Sequence, residues 1–343
     1  MYDFLFILFI IFTTLILNYI CKSKSIFLDD KSSSHHKNFI PSKKVPLIGG
    51  IIFFLGTIFF FHNNFNLNIK IFGILLLIVG LLSDTQILKS WFWRIFLQLI
   101  ILVFYVSISN NTVLETRFLI LDTFLKNYYF TIFFSVFCYL VLINGTNFID
   151  GLNSLVLGYF LLVIIFLKII SNYYNFLILQ DIRLLIFLML ILFIFNIRQK
   201  LFLGDGGSYI LSFFIGSLLI NFYNLNLISP YYIVLLLWYP AYENLFSIFR
   251  KIFHKKKPSE ADNYHLHHLI YLATKNYKIK FFNLNYNSTA SIIILSFNLI
   301  IFTIAFFFPE NTKINLLLIF FNIFIYNITY LYLYKIFLKK YDC

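Results

Sequence analysis

The sequence predicts an all-α integral membrane protein, a polytopic bundle of about 10–11 transmembrane helices at about 20 residues each. Three observations carry this. Of 343 residues, 61% are hydrophobic and only 12% are charged, whereas a soluble domain is about 45–50% apolar and about 25% charged. The apolar residues fall in long runs, and the mean hydropathy is +0.86. The runs are continuous rather than alternating, which argues against a membrane β-barrel. So little polar surface excludes a soluble enzyme, a disordered chain and a secreted disulfide scaffold. It also argues against a nucleic-acid partner, although the net charge is +13.

The spans are read in order at 2–20, 46–62, 69–83, 95–110, 128–144, 154–170, 182–196, 208–222, 230–247, 286–308 and 314–335. The first carries Asp3, has no basic residue before it and no small-residue cleavage site after it. It therefore reads as a span, not as a signal peptide. The second opens at Pro46, whose missing N–H costs nothing in a first helical turn. The third ends at Gly80-Leu81-Leu82-Ser83-Asp84, and the fourth follows Lys89, Trp91, Trp93 and Arg94. These tryptophans read as an interfacial belt. The fifth and sixth are parted by the polar segment Asn144–Ser154, and the seventh and eighth by Asn196–Ser208. The ninth contains Pro240 and Glu243. The last two follow loop 248–285, the longest, which is too short for a soluble domain. The chain reads as one transmembrane domain, 1–343, with loops at 21–45, 84–94, 145–153, 197–207 and 248–285.

With the N-terminus outside and the C-terminus cytoplasmic, 21 of the 27 basic residues fall in cytoplasmic loops and the tail. That asymmetry sets the orientation, and it makes most of the +13 a topology signal attracted to anionic lipid. Cys21, Cys138 and Cys343 share no metal-type spacing, so neither a disulfide framework nor a zinc site is expected. No internal repeat is evident, which weakens a secondary-transporter reading.

Rare acids near membrane depth are the informative residues in such a chain. Asp84, Asp150, Asp205, Glu243, Glu260 and Asp262 fall on or near the side read as cytoplasmic, with His265, His267 and His268. Polar clusters therefore share the cytoplasmic face, where a candidate active site is placed. Lys43 and Lys44 beside a helix start suit phosphate, or simply anchor the span. Asp84 is either a functional or a solvated interfacial acid. Asn147, Asp150 and Ser154 recur at helical spacing and would share one face, offering oxygens to a hard cation or to phosphate-bound water. Asp205 lies among glycines before a helix, where backbone N–H groups and Ser208 suit phosphate and the carboxylate suits Mg²⁺. Glu243 reads as a polar contact between helices or as a site acid. The histidines suit phosphate oxygens, a transition metal or a solvated loop.

Taken in order, these clusters resemble the polyprenyl-phosphate N-acetylhexosamine-1-phosphate transferase family, glycosyltransferase family 4. Pro46, Gly49 and Gly50 meet its Pro-x-x-Gly-Gly. Ser83-Asp84 stands at its Asp-Asp, and Asn144 to Ser154 at its Asn-x-x-Asn-x-x-Asp-Gly-x-Asp-Gly. Lys200, Phe202, Gly204, Asp205, Gly207 and Ser208 meet its Lys-x-Phe-x-Gly-Asp-x-Gly-Ser. Asp262, His265, His267 and His268 meet its Asp-Arg-x-His-x-His-His. Ser83, Asn153 and Asn263 depart from the pattern by replacing two acids and an arginine. The histidine loop looks more like the branch that starts O-antigen, capsule or teichoic-acid glycans than the branch that makes the phospho-N-acetylmuramoyl-pentapeptide lipid of peptidoglycan.

The resemblance implies transfer of N-acetylhexosamine 1-phosphate from a UDP-sugar to undecaprenyl phosphate, with release of UMP, in the inner membrane of a bacterium. It implies Mg²⁺, with Mn²⁺ as an alternative ion, held by Asp205 and Asp150. Asp84, Asp150 and Asp205 are the implied catalytic acids, Asp84 orienting or deprotonating the lipid phosphate. Asn144 and Asn147 would bind uridine or phosphates, and Phe202 would stack on uracil. Lys43, Lys44, Asp262, His265, His267 and His268 would bind phosphate or sugar. A homodimer among membrane lipids is implied too. The rival class is a transporter or flippase for a phosphorylated lipid or sugar, and a catalytically silent scaffold is a third.

Overall fold

The computed structural model describes residues 2–29, 45–60, 67–176, 182–253, 255, 265–281 and 284–337. The described residues are almost wholly helical. The helices are α1 (Tyr2–Lys24), α2 (Gly49–Phe60), α3 (Leu67–Asp84), α4 (Trp91–Ser109), α5 (Leu119–Leu125), α6 (Tyr128–Ile149) and α7 (Leu155–Tyr174). They continue as α8 (Arg183–Ile197), α9 (Gly204–Leu225), α10 (Pro230–Leu236), α11 (Trp238–Phe253), α12 (Leu266–Asn276), α13 (Tyr286–Phe306) and α14 (Thr312–Phe337).

Eight helices among the described residues are long and apolar enough to cross a membrane, and α10 with α11 makes a ninth, bent span. The chain is an all-α polytopic membrane protein. The second and seventh expected spans are the shorter apolar helices α2 and α8. Helices α7 and α9 are the most enclosed. Helix α9 packs against α3, α2 and α6, and α7 against α8 and α13. Helices α1, α4 and α14 turn most of their surface outward, as lipid-facing spans do.

The expected ninth span is broken. Helices α10 and α11 meet at 73°. Pro240 explains it, because its ring clashes with the carbonyl four residues back and it has no N–H to donate. That carbonyl, Leu236 O, instead accepts the Tyr159 hydroxyl at 2.9 Å, and the same hydroxyl accepts the Tyr239 N–H at 3.4 Å. A side chain from α7 thus satisfies both backbone groups freed by the break, which apolar surroundings make costly to leave bare. Gly145 of α6 lets the chain lie directly against the Pro240 carbonyl.

The joint of α2, α3 and α9 is made of backbone. Gly50 faces Gly207 and Gly80 faces Gly206 so closely that a Cβ on either would strike the opposite main chain. Small residues let helices approach this way in membranes. The contact brings the end of α3, with Ser83 and Asp84, onto the start of α9, with Asp205.

Candidate active site

Helix α9 begins at Gly204, whose φ of +73° favours a residue without a Cβ. The Asp84 carboxylate lies where that Cβ would be. Its Oδ1 accepts the Asp205 N–H at 2.9 Å and its Oδ2 the Gly206 N–H at 3.1 Å. Asp84 thereby holds the positive end of α9. This geometry makes Asp84 an anchor for Asp205.

Asp205 has a different set of partners. Its Oδ2 accepts Ser83 Oγ–H at 2.6 Å and Arg94 Nη1 at 3.3 Å, and Arg94 also donates to Ser83 Oγ at 2.9 Å. The pair is about a quarter exposed on each side. Asp205 Oδ1 has no hydrogen-bond partner among the described residues. Ser208, one turn on, donates to Asn147 Oδ1 at 3.2 Å and to the Asp205 carbonyl at 3.0 Å. Asn144, a turn before Asn147 on α6, donates to Gln98 Oε1 at 3.0 Å. Ser83 therefore does not leave a gap at its position, because it supports Asp205 directly. Arg94, which the sequence reading counts only among the basic residues of loop 84–94, stands in this cluster. The signal was present in its spacing to Gln98, one α4 turn apart and facing the same cluster.

The expected shared face of Asn147, Asp150 and Ser154 does not form. Helix α6 stops at Ile149, with Asp150 as its cap. The chain turns through 150–153, and Ser154 takes a φ of +63° before α7. Ser154 bonds Asn196 and the Phe193 carbonyl. Asn153 is buried, its N–H donating to Asn287 at 2.6 Å. That position packs against α13 and carries no free side chain toward the cluster. Asp150 is half-buried at the end of α6.

The histidines form a second cluster on the other side of this turn. Glu243 of α11 is fully buried. Its Oε1 accepts His265 Nδ1 at 2.9 Å and the Leu266 N–H at 3.3 Å, while Oε2 accepts the Tyr326 hydroxyl at 2.9 Å. The His265, His267 and His268 rings pack together, with centroids 4.2–5.8 Å apart. The turn meets them at Gly151, where a Cβ would lie 2.6 Å from His267 Nε2 and 2.7 Å from His268 Nε2. His265 also lies 5.7 Å from the Phe148 ring, over which Lys251 Nζ sits at 5.8 Å. His267 is fully buried, and neither ring nitrogen has a hydrogen-bond partner among the described residues. Its pKa is held well below the usual histidine range by burial, with His268, His265 and Arg250 adding to the effect.

Two places have donors for a cation. Glu243, His265 and His267 bring one ligand atom each within 4.8 Å of the others, but both oxygens of that carboxylate are already engaged, Oε1 at the start of α12 and Oε2 by Tyr326 of α14. Asp205 fits Mg²⁺ better. It offers an unengaged, partly exposed carboxylate oxygen, and Mg²⁺ is bound through one or two carboxylates with retained waters. Phe202 is only 8% exposed, packed in a small apolar cluster with Val45 and Leu47, so its ring has little free face for stacking. Lys43, Lys44 and Asp262 lie outside the described residues.

The model of the family described as "Glycosyl transferase family 4" matches residues 66–223. An undecaprenyl-phosphate alpha-N-acetylglucosaminyl 1-phosphate transferase of Thermotoga maritima is 29% identical over 261 residues, 75% of this chain and 77% of that protein. Two phospho-N-acetylmuramoyl-pentapeptide-transferases are similar over shorter stretches. That of Dictyoglomus turgidum is 30% identical over 57% of this chain and 66% of its own length; that of Dictyoglomus thermophilum is 31% identical over 50% and 58%. The matched segment contains Ser83, Asp84, Arg94, Asn147, Asp205 and Ser208, so the likeness to glycosyl transferase family 4 spans the whole carboxylate cluster at the joint of α3, α4, α6 and α9.

Proposed function

We propose that the protein transfers N-acetylhexosamine 1-phosphate from a UDP-sugar to undecaprenyl phosphate at the cytoplasmic face of a bacterial inner membrane, with its N-terminus outside and C-terminus inside. The observation that carries this reading is the Asp205 carboxylate, one oxygen held by Ser83 and Arg94 and the other unengaged, in a cluster with Asn147 and Ser208. The relatives' names supply the reaction class.

In the proposed reaction a phosphate oxygen of the lipid bonds to the β-phosphorus of the UDP-sugar. The bond from that phosphorus to the bridging oxygen breaks, and UMP leaves with the electron pair. The lipid phosphate is already anionic at neutral pH, so the reaction asks for charge neutralisation and alignment more than for a base. Asp205, with Asp150 as a second acid, would hold Mg²⁺, which when bound offsets the negative charge of the diphosphate. Arg94 orients Asp205 and adds a positive charge beside it. Asp84 holds the start of α9, and so Asp205, in place. Asn144 and Asn147 face the nucleotide, and His267 and His268 face its diphosphate or sugar across Gly151.

The test is UMP release by the purified protein from a panel of UDP-N-acetylhexosamines, with undecaprenyl phosphate, with and without Mg²⁺. Release that needs both lipid and metal supports the reading and identifies the sugar. No release from any donor by well-folded protein would overturn it in favour of a transporter.

A further inference from the structure

A second polar site lies away from the carboxylate and histidine clusters, between the ends of α1 and α8. A cavity of about 360 Å³ is lined there by Asn18, Tyr19 and Lys22 of α1 and by Arg198 and Lys200 just after α8, above the apolar side chains of Leu15 and Ile194. No carboxylate lines it among the described residues. Lys22, Arg198 and Lys200 are exposed, and no hydrogen bond or ion pair of their side chains occurs among the described residues. Asn18 donates to the Lys200 carbonyl at 2.7 Å, which ties the turn after α8 to α1 and brings the three cations around one concavity.

Three like charges facing one cavity repel each other unless an anion joins them. The geometry around them is graded. Lys22 and Arg198 stand at the helix ends, while Leu15 and Ile194, 53% and 41% exposed, lie deeper along the same two helices by about 10 Å and 6 Å, at 1.5 Å per residue. Charge at the surface and open apolar side chains beneath it match an amphiphile with an anionic head and an acyl tail. Basic pockets between transmembrane helices bind anionic lipid headgroups for this reason.

We infer that this cavity is a binding site for the phosphate headgroup of an anionic phospholipid, seated between α1 and α8 with its acyl chain along Leu15 and Ile194. The site is separate from the acceptor-lipid chemistry proposed above, and the inference does not depend on that reading. An occupant would bridge α1 to the turn that leads into Gly204 and Asp205.

The full-length protein, delipidated in detergent, would be titrated with phosphatidylglycerol, phosphatidylcholine or inorganic phosphate, and bound lipid read by native mass spectrometry. Phosphatidylglycerol is expected to bind with phosphatidylcholine at least about tenfold weaker. The double variant Lys22→Gln/Arg198→Gln is expected to lose that preference, while Lys22→Arg/Arg198→Lys keeps it. All four substitutions fall on exposed side chains, and an unchanged thermal midpoint would confirm folding. Equal binding of the two lipids, or unchanged phosphatidylglycerol binding by the Gln variant, would overturn the inference. Displacement of the lipid by millimolar inorganic phosphate would assign the site to a free phosphate compound instead.

Discussion

The carboxylate cluster around Asp205 and the histidine cluster around Glu243 flank the same turn, yet they are built in opposite ways. In the first, charges pair across partly exposed side chains, and one oxygen of Asp205 is left open. In the second, every acid oxygen is engaged inside the protein, and the unsatisfied group is a buried neutral imidazole. An open carboxylate oxygen recruits a cation. A buried ring whose two nitrogens have no partner among the described residues is costly, because the hydrogen bonds it gives up to water on burial are not replaced. On the proposed reading the first cluster would serve metal and charge, the second the hydrogen-bonding groups of a substrate.

Removing the open oxygen is the hardest break of this comparison. Asp205→Asn is expected to lower UMP release by about a thousandfold or more, since a bound metal contributes several kcal/mol, while the protein still inserts in the membrane. A variant keeping most of its turnover would sink the metal assignment. Arg94→Gln should cost less, about a hundredfold in kcat, with Arg94→Lys intermediate because lysine keeps the charge but not the planar fork. Equal rates for Lys and Gln would remove the charge from Arg94's proposed role.

Gly151→Ala addresses the other side of the turn. Its added methyl would press on His267 and His268 at 2.6–2.7 Å. A rise in KM for the UDP-sugar of about tenfold is expected, with a thermal midpoint within a few degrees of the parent. An unchanged KM would separate the histidines from substrate. The smallest effect is on pH dependence. Burial first, then His268, His265 and Arg250, hold His267 neutral in the folded protein. The unfolded chain takes up a proton below the ordinary histidine value of 6.5. This contribution to stability is complete above that pH and is lost as pH falls below it, by up to about 1.4 kcal/mol per unit. Thermal unfolding in detergent at pH 7.5 and 5.5 should show a larger acid drop for the parent than for His267→Gln.

Much of this arrangement was legible in the sequence, and the limit is physical. The spans follow from continuous apolar runs, and Asp84, Asn147, Asp205 and Ser208 were singled out because acids and amides interrupt such runs. What could not be read is which groups meet. Ser83 looks like a lost acid until its hydroxyl is found on Asp205, 122 residues away. Asn153 looks like a changed ligand until it is seen against Asn287 of α13. Glu243 and His265 are 22 residues apart, with the rest of α11 and residues 254–264 between them. Helical period reaches only one turn along a chain, so Asn147, Asp150 and Ser154 were placed on one face that the turn at Asp150 takes apart. Pro240 stands in a ninth span read as continuous, and the backbone groups freed by the break there are met by Tyr159 from another helix.

The aromatic start of α4 sets the height at which the proposed lipid acceptor would meet the site. Trp91, Phe92 and Trp93 are each about half-exposed and immediately precede Arg94. Aromatic side chains of this kind settle at the boundary between headgroups and hydrocarbon. The guanidinium next to them, and through it Asp205, is thus held at a set height relative to the bilayer surface. The phosphate of the proposed lipid acceptor would be confined to that same height by its own tail. The membrane itself then supplies one coordinate of alignment, and the search for the site is reduced to sliding in a plane.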